Sequence, residues 1–228
     1  MGKVKTVAVV QARIGSTRFP GKVFADIAGK PMIHRVVERA RLIPGVDLVV
    51  LATAERDERF KRFAYEMRLD WFFGAPRLDP DNVLSRVYWA ARAAQADHVV
   101  RITGDCPLLD PAMSGRVVSL YTHPNTPVDY VSNISPATDG FDTEIFSFAT
   151  LERAWQRHGV DRQHVTTWMR SSDRVRRLDV AEPGRSVHLS VDTPDDLEVV
   201  RTIYKTVNKD VFTYSEALAA YAIIQELV

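Results

Sequence analysis

With 228 residues, 46% of them hydrophobic and 26% charged, the chain is long enough to bury a sizeable core and has the composition of a globular protein. Thirty basic residues against 29 acidic ones leave a formal charge of +1, which excludes a nucleic-acid partner held by bulk positive charge. The single cysteine, Cys106, excludes an internal disulfide framework and a cysteine-rich zinc site, and no apolar run approaches the ~18 residues of a membrane span. A cytoplasmic protein without a membrane or nucleic-acid partner is therefore expected. The opening Met-Gly-Lys-Val-Lys-Thr fits a myristoylation pattern. A strand starting at Val4 is expected to bury that end, and the apolar stretch at 6–10 is too short for a signal peptide.

The chain reads as strand, helix, strand. Residues 5–12 (KTVAVVQA) are nearly continuous in Val and Ala, as a strand covered on both faces should be. A helix over 31–42 follows, with Pro31 in its first turn. Next come a buried strand over 46–53, a charged amphipathic helix over 56–68 and a short strand over 71–73. Residues 81–94 carry a helical apolar stripe (Val83, Leu84, Val87, Tyr88, Ala91), with Asp79 or Asp81 as its cap. Residues 98–103 (HVVRIT) form a third buried strand, and a helix begins near Pro111.

After Leu120 the pattern loosens. A Pro-rich loop at 123–128 leads to a strand over 130–133. A hairpin-like stretch follows over 139–146, with Asp139-Gly140 as its turn signal. Helices are predicted over 150–158 and 161–170, a strand over 186–191, and helices over 193–206 and 213–227. Such alternation implies a three-layer α/β domain with a mostly parallel sheet, spanning 1–228, and an inserted lobe around 125–180. That lobe could shape a second substrate pocket or a dimer contact. The apolar stripe Leu218, Tyr221, Ile224 and Leu227 of the last helix also suggests a homodimer.

Ligands of open α/β sheets bind at the carboxyl ends of the strands. Three such ends stand out. The first, residues 11–22 (QARIGSTRFPGK), sets Gly15 and Gly21 beside hydroxyls on Ser16 and Thr17 and cations on Arg13, Arg18 and Lys22. A polyphosphate needs that combination. The spacing excludes a P-loop: five residues separate the glycines, and Val23 stands where a magnesium-binding hydroxyl would follow the lysine. The Gly-x-Gly-x-x-Gly fingerprint of dinucleotide binding is absent too. The second end, residues 103–110 (TGDCPLLD), projects Asp105 just past a strand; Asp110 is better placed to cap the helix after it. A carboxylate there suits magnesium, which favours one or two carboxylates plus phosphate oxygens. Cys106 has no base nearby and reads as a small buried residue. The third end, residues 190–197 (SVDTPDDL), leaves Asp192 spare, because Thr193, Pro194 and Asp196 already make a capped helix start.

Taken together and in order, these three segments resemble the cytidylyltransferase superfamily. That group includes the CMP-sialate synthetases and 3-deoxy-manno-octulosonate cytidylyltransferases, and the nearest texture is the branch of the spore coat polysaccharide biosynthesis protein F. The resemblance covers nearly the whole chain and implies a Rossmann-like nucleotidyltransferase sheet. It implies that the first loop cradles CTP through Gln11, Ala12, Arg13, Gly15, Ser16, Thr17 and Lys22. It further implies that Asp105 and Asp192 hold catalytic Mg²⁺ and that Asn82 and Arg86 flank the nucleotide. The stretches 140–144 (GFDTE) and 162–166 (RQHVT) resemble acceptor-side motifs of the spore-coat branch, which makes Asp142, Glu144 and His164 candidate acceptor contacts. The chain differs from the sialate synthetases at Gln11 and Thr17, and from the octulosonate enzymes in the acceptor lobe, so the small-molecule acceptor stays open.

The expected reaction is transfer of CMP from CTP to an acceptor oxygen with release of pyrophosphate, with Arg13, Lys22, Asp105 and Asp192 as the catalytic set. Two other readings compete. A metal-dependent nucleotide-sugar glycosyltransferase would typically carry Asp-x-Asp at the strand end, where this chain has Gly-Asp-Cys-Pro. A non-catalytic nucleotide-binding protein would not need separate carboxylates at two strand ends.

Overall fold

Short Val- and Ala-rich segments with no polar face suit strands of a sheet covered on both sides, where their backbone groups are paired. That is the architecture of the computed structural model, which describes residues 3–54, 56–73, 81–125, 127–178 and 186–226. In chain order the first half comprises β1 (Thr6–Ala12), β2 (Asp26–Ile27), β3 (Lys30–Pro31), α1 (Met32–Arg41), β4 (Leu48–Thr53), α2 (Glu58–Glu66), β5 (Asp70–Phe73), α3 (Val83–Ala93), β6 (His98–Thr103) and α4 (Pro111–Thr122). The second half comprises β7 (Tyr130–Ser132), β8 (Thr138–Asp139), β9 (Glu144–Ser147), α5 (Phe148–Gln156), β10 (Val175–Arg177), β11 (Val187–His188), α6 (Pro194–Val207) and α7 (Tyr214–Glu226).

Seven strands form the central sheet in the order β10-β7-β9-β6-β1-β4-β5. The pairs β6–β1, β1–β4, β4–β5 and β10–β7 are parallel; β9 runs antiparallel to both neighbours. Side-chain alternation along β1 builds the two cores. Ala8 and Val10 join residues of α1, α2, α4, α6 and α7 on one face, while Val7 and Val9 join α3 and α5 on the other. All four are fully buried, so the sheet is the middle of three layers, as the sequence pattern predicts. Among the described residues no helix is long and apolar enough to cross a membrane. The myristoylation signal centres on Gly2, which lies outside the described residues.

The register sets the site. Ala12 pairs with Thr53, and Gln11 with Thr103, so β1, β4 and β6 end together at one rim. Gly104 follows at once, and its N–H donates to the Gln11 carbonyl at 2.8 Å. A Cβ at Gly104 would lie 2.8 Å from that same oxygen, so only glycine lets the two strand ends close this tightly.

Several sequence expectations are corrected. Pro31 precedes α1 as its N-cap residue rather than opening its first turn. The cap of α3 is Asn82, whose side chain accepts the Ser85 N–H at 3.0 Å. Asp81 is therefore not that cap, and Asp79 lies outside the described residues. Residues 139–146 do not form a hairpin. Gly140 takes φ of 104° and packs its backbone against Leu189 and Ser190, which draws β8 into a separate pair with β11, while β9 enters the central sheet. The strand expected over 186–191 is reduced to that short β11. Residues 161–170 form bends and turns that run into a short 3-10 helix, Met169–Ser171, rather than an α-helix. Asp161 accepts the N–H groups of Gln163 and His164, the Arg162 carbonyl accepts from Leu84, and the Thr166 hydroxyl is drawn to Glu144. Tertiary partners thus outcompete helical ones there. Segment 125–180 supplies β7, β9 and β10 to the main sheet, and β10, exposed and basic, carries no apolar pattern to announce it. In α7, Leu218, Tyr221 and Ile224 are partly buried against the chain's own core; Leu227 lies outside the described residues.

Candidate active site

The loop after β1 turns on itself through backbone bonds from Ser16 and Gly21 to the Ile14 carbonyl, 2.8 and 3.0 Å long. Gly21 adopts φ of 75°, a conformation glycine takes without Cβ strain, and it sends Lys22 inward. There the lysine side chain is only 8% exposed. Its Nζ donates to Asp105 Oδ2 at 2.9 Å, to Asp192 Oδ1 at 3.0 Å and to the Val191 carbonyl at 2.6 Å. Two acids 87 positions apart (192 − 105) thus grip one cation, and their oxygens lie at most 5.9 Å apart (2.9 + 3.0). Burial works against the Lys22 charge, but Asp105 and Asp192 outweigh it and hold the ammonium above the ordinary lysine range. The Asp192 carboxyl is likewise opposed by its burial yet held below the usual carboxylate range by Lys22 and Arg18, whose guanidinium sits 2.9 Å from it.

Neither acid is needed as a helix cap. Asp110 caps α4 by accepting from Ala112 and Met113, and Thr193 with Asp196 forms a capping box on α6. Cys106 is buried, and burial pushes its thiol well above the usual range, so it is no nucleophile at neutral pH.

This cluster lies between two clefts. The first, of about 360 Å³, is lined by Gln11, Ala12, Arg13, Ser16, Thr17, Arg18, Lys22, Arg86, Asp105 and Asp192, among others. Here the structure brings together all but two of the residues predicted for the nucleotide. Gly15 and Asn82 are not among the lining residues; Asn82 is taken up as the α3 cap. Arg13 forms an ion pair with Asp81 at 2.6 Å at the mouth.

The second cleft, of about 320 Å³, shares Arg101, Thr103, Asp105 and His164 with the first and adds Asp139, Asp142, Glu144, Thr166 and Arg170. Its floor is Glu144, 1% exposed, which accepts from Arg101, from Tyr130 and Thr166 at 2.5 Å each, and from Arg170 at 2.9 Å. Burial opposes its charge, but Arg101 and the other donors bring its carboxyl down to about 2. Asp142 behaves oppositely: burial, then Asp139 and Glu144, push it up to about 7 despite Arg101 and Arg170. His164 lines both clefts, is 73% exposed and pairs with Asp161 at 2.7 Å. The residues that the sequence reading missed here are Arg101 and Arg170. A charged residue inside the apolar run HVVRIT is a signal that could have revealed Arg101; Arg170 had none.

Among the described residues, no three His, Cys, Asp or Glu side chains converge as a self-sufficient metal cage. Two carboxylates converging on one position, here filled by the Lys22 ammonium, instead fit an ion that completes its shell with phosphate oxygens and water, as Mg²⁺ does.

A family profile described as Cytidylyltransferase matches residues 7–223. The spore coat polysaccharide biosynthesis protein SpsF of Bacillus subtilis is 25% identical over 208 residues, which cover 86% of this chain and 85% of that protein. The 3-deoxy-manno-octulosonate cytidylyltransferase of Trichlorobacter lovleyi is 36% identical over 115 residues, half of this chain and 44% of that enzyme. The solved structure of a cytidylyltransferase from Leptospira borgpetersenii superposes with a TM-score of 0.89 at 22% identity, covering 99% of this chain and 97% of that one.

Proposed function

From the premise that the chain belongs to the cytidylyltransferase family and is a nucleotidyltransferase, we propose that it transfers CMP from CTP to a hydroxyl of a sugar acid, releasing pyrophosphate. The observation that carries this reading is the convergence of Asp105 and Asp192 on one cation beside a glycine-bent basic loop. The sugar acid is taken from the octulosonate relative, whose match covers only half of this chain.

In this reading the triphosphate lies in the first cleft. Arg13, Ser16, Thr17, Arg18, Lys22 and Arg86 surround it with cations and hydroxyls. The acceptor lies in the second cleft, and the rim at Thr103 and Asp105 is where the two meet. Asp105 and Asp192 would hold Mg²⁺, which supplies charge neutralisation and polarises phosphorus when bound. Most of the rate then comes from holding acceptor oxygen and α-phosphorus in line and from cations placed where the departing pyrophosphate gathers charge. Arg13 and Lys22 are the groups for that last task. Glu144 holds Arg101 and Arg170 in place as the wall of the acceptor cleft, and His164 sits at its entrance as an acceptor contact.

A homodimer, with segment 125–180 as its contact, and a cytoplasmic location, where water-soluble substrates meet, belong to the same proposal. Light scattering on the purified chain checks the first. For the reaction, purified protein, Mg²⁺ and each nucleoside triphosphate are combined with 3-deoxy-manno-octulosonate, N-acetylneuraminate and simple polyols, and pyrophosphate is measured. CTP-dependent release with a sugar acid is expected. Binding of CTP without turnover of any acceptor would favour a nucleotide-binding protein instead.

A further inference from the structure

The second cleft holds four carboxylates: Asp105, Asp139, Asp142 and Glu144. Three of them are engaged. Asp105 carries the Lys22 ammonium at 2.9 Å. Asp139 accepts from the Ser190 hydroxyl at 2.7 Å and pairs with His188 at 2.8 Å. Glu144 is saturated by Arg101, Arg170, Tyr130 and Thr166. Among the described residues, the Asp142 carboxylate accepts no hydrogen bond and forms no ion pair, although it lines the cleft. A carboxylate left open in an otherwise paired pocket is available to a substrate proton.

We propose that Asp142 is the general base that takes the proton of the attacking acceptor hydroxyl. This rests on the nucleotidyl-transfer reading above and adds a catalytic residue to it. The acceptor oxygen attacks the α-phosphorus of CTP and its proton passes to Asp142. The new oxygen–phosphorus bond forms as the bond to the β-phosphate bridging oxygen breaks, and that electron pair leaves with pyrophosphate. The proton is later lost to water, so Asp142 is regenerated.

The surroundings support the assignment. Burial, Asp139 and Glu144 favour the protonated form of Asp142, while Arg101 and Arg170 favour the ionised one, and the balance lies at about 7, where a general base works best at neutral pH. The other groups at hand are worse suited. Cys106 is kept neutral by burial, and His164, 73% exposed at the edge of both clefts, lies in open solvent rather than inside the acceptor pocket. Glu144 would have to surrender its four donors. Asp142 also stands on the acceptor side of the shared rim rather than in the triphosphate loop, where a negative charge would repel the nucleotide.

The test compares pH profiles of kcat and KM for the unmodified enzyme, Asp142→Asn and Asp142→Glu, using CTP, Mg²⁺ and whichever of 3-deoxy-manno-octulosonate and N-acetylneuraminate turns over. The unmodified enzyme should lose kcat below about pH 7 with unit slope. Asp142→Asn should lose about 100-fold or more in kcat, keep its KM for CTP and lack that acidic limb. Asp142→Glu should keep a limb at a shifted position with a partial rate, and it decides the question if the Asn variant does not fold. Asp142→Asn with near-normal kcat, with the acidic limb intact, or with a loss confined to acceptor KM overturns the base assignment alone. Absence of turnover in the unmodified enzyme overturns the nucleotidyl-transfer reading and takes this one with it.

Discussion

Replacing Lys22 by Met keeps the aliphatic stem and removes the charge that Asp105 and Asp192 share. Their oxygens, at most 5.9 Å apart, would then face each other unscreened. Two unit charges at that separation repel by about 3 kcal/mol at an effective dielectric near 20. The side chains of Asp105 and Asp192 are 33% and 22% exposed, so water returns part of this, and about 2 kcal/mol is the expected loss of stability. In a chain of this size that lowers Tm by roughly 4–8 °C. Catalysis should suffer more: without the cation facing the departing pyrophosphate, kcat should fall about a hundredfold or beyond. The vacated seat should also take a divalent ion more readily. Without nucleotide, Mn²⁺ should therefore raise Tm more in Lys22→Met than in the unmodified protein. Differential scanning fluorimetry with and without Mn²⁺, and pyrophosphate release, read all three. An unchanged Tm together with full turnover would refute the shared-cation reasoning, and equal Mn²⁺ responses would refute the seat.

The remaining expectations address the rest of the site. Asp105→Asn and Asp192→Asn should each lower turnover by about 100-fold or more and weaken the dependence on Mg²⁺ concentration; an unaltered Mg²⁺ titration would count against the ligand assignment. Because the folded-state carboxyl of Glu144 is depressed from 4.5 to about 2, its contribution is complete above pH 4.5 and lost as pH falls towards 2, an amount of about 3 kcal/mol. Urea unfolding between pH 2 and 5 should show that slope, and Glu144→Gln should flatten it. Asp142 has the opposite sign: raised from 3.8 to about 7, it stabilises the fold least at high pH. Asp142→Asn should therefore raise Tm at pH 8 and leave it unaltered at pH 4, a gain in stability set against lost activity. Gly104→Ala should force the ends of β1 and β6 apart, because the new Cβ would meet the Gln11 carbonyl at 2.8 Å; lowered kcat with a modest loss of Tm is expected.

Local rules carried the reading furthest where an element depends on its own residues. The uninterrupted Val and Ala of β1 require burial on both faces. The Thr193–Asp196 box declares the start of α6, and Asp110 the start of α4. That leaves Asp105 and Asp192 as acids that cap no helix. The same rules failed where partners come from afar. The apolar spacing of residues 161–170 looks helical, yet Glu144 and Leu84 claim the polar groups of that segment. Asp139-Gly140 looks like a hairpin turn, yet Gly140 packs on Leu189.

What the amino-acid order by itself determined was the set of strand ends and the kinds of side chain each one presents, because backbone satisfaction and side-chain periodicity are local matters. That Lys22 closes the gap between Asp105 and Asp192, and that Arg101 and Arg170 converge on Glu144 and leave Asp142 open, was decided by the tertiary structure alone. Strand order and register place those side chains within bonding range, and the burial they impose sets the carboxyl of Glu144 and that of Asp142 at opposite ends of the scale.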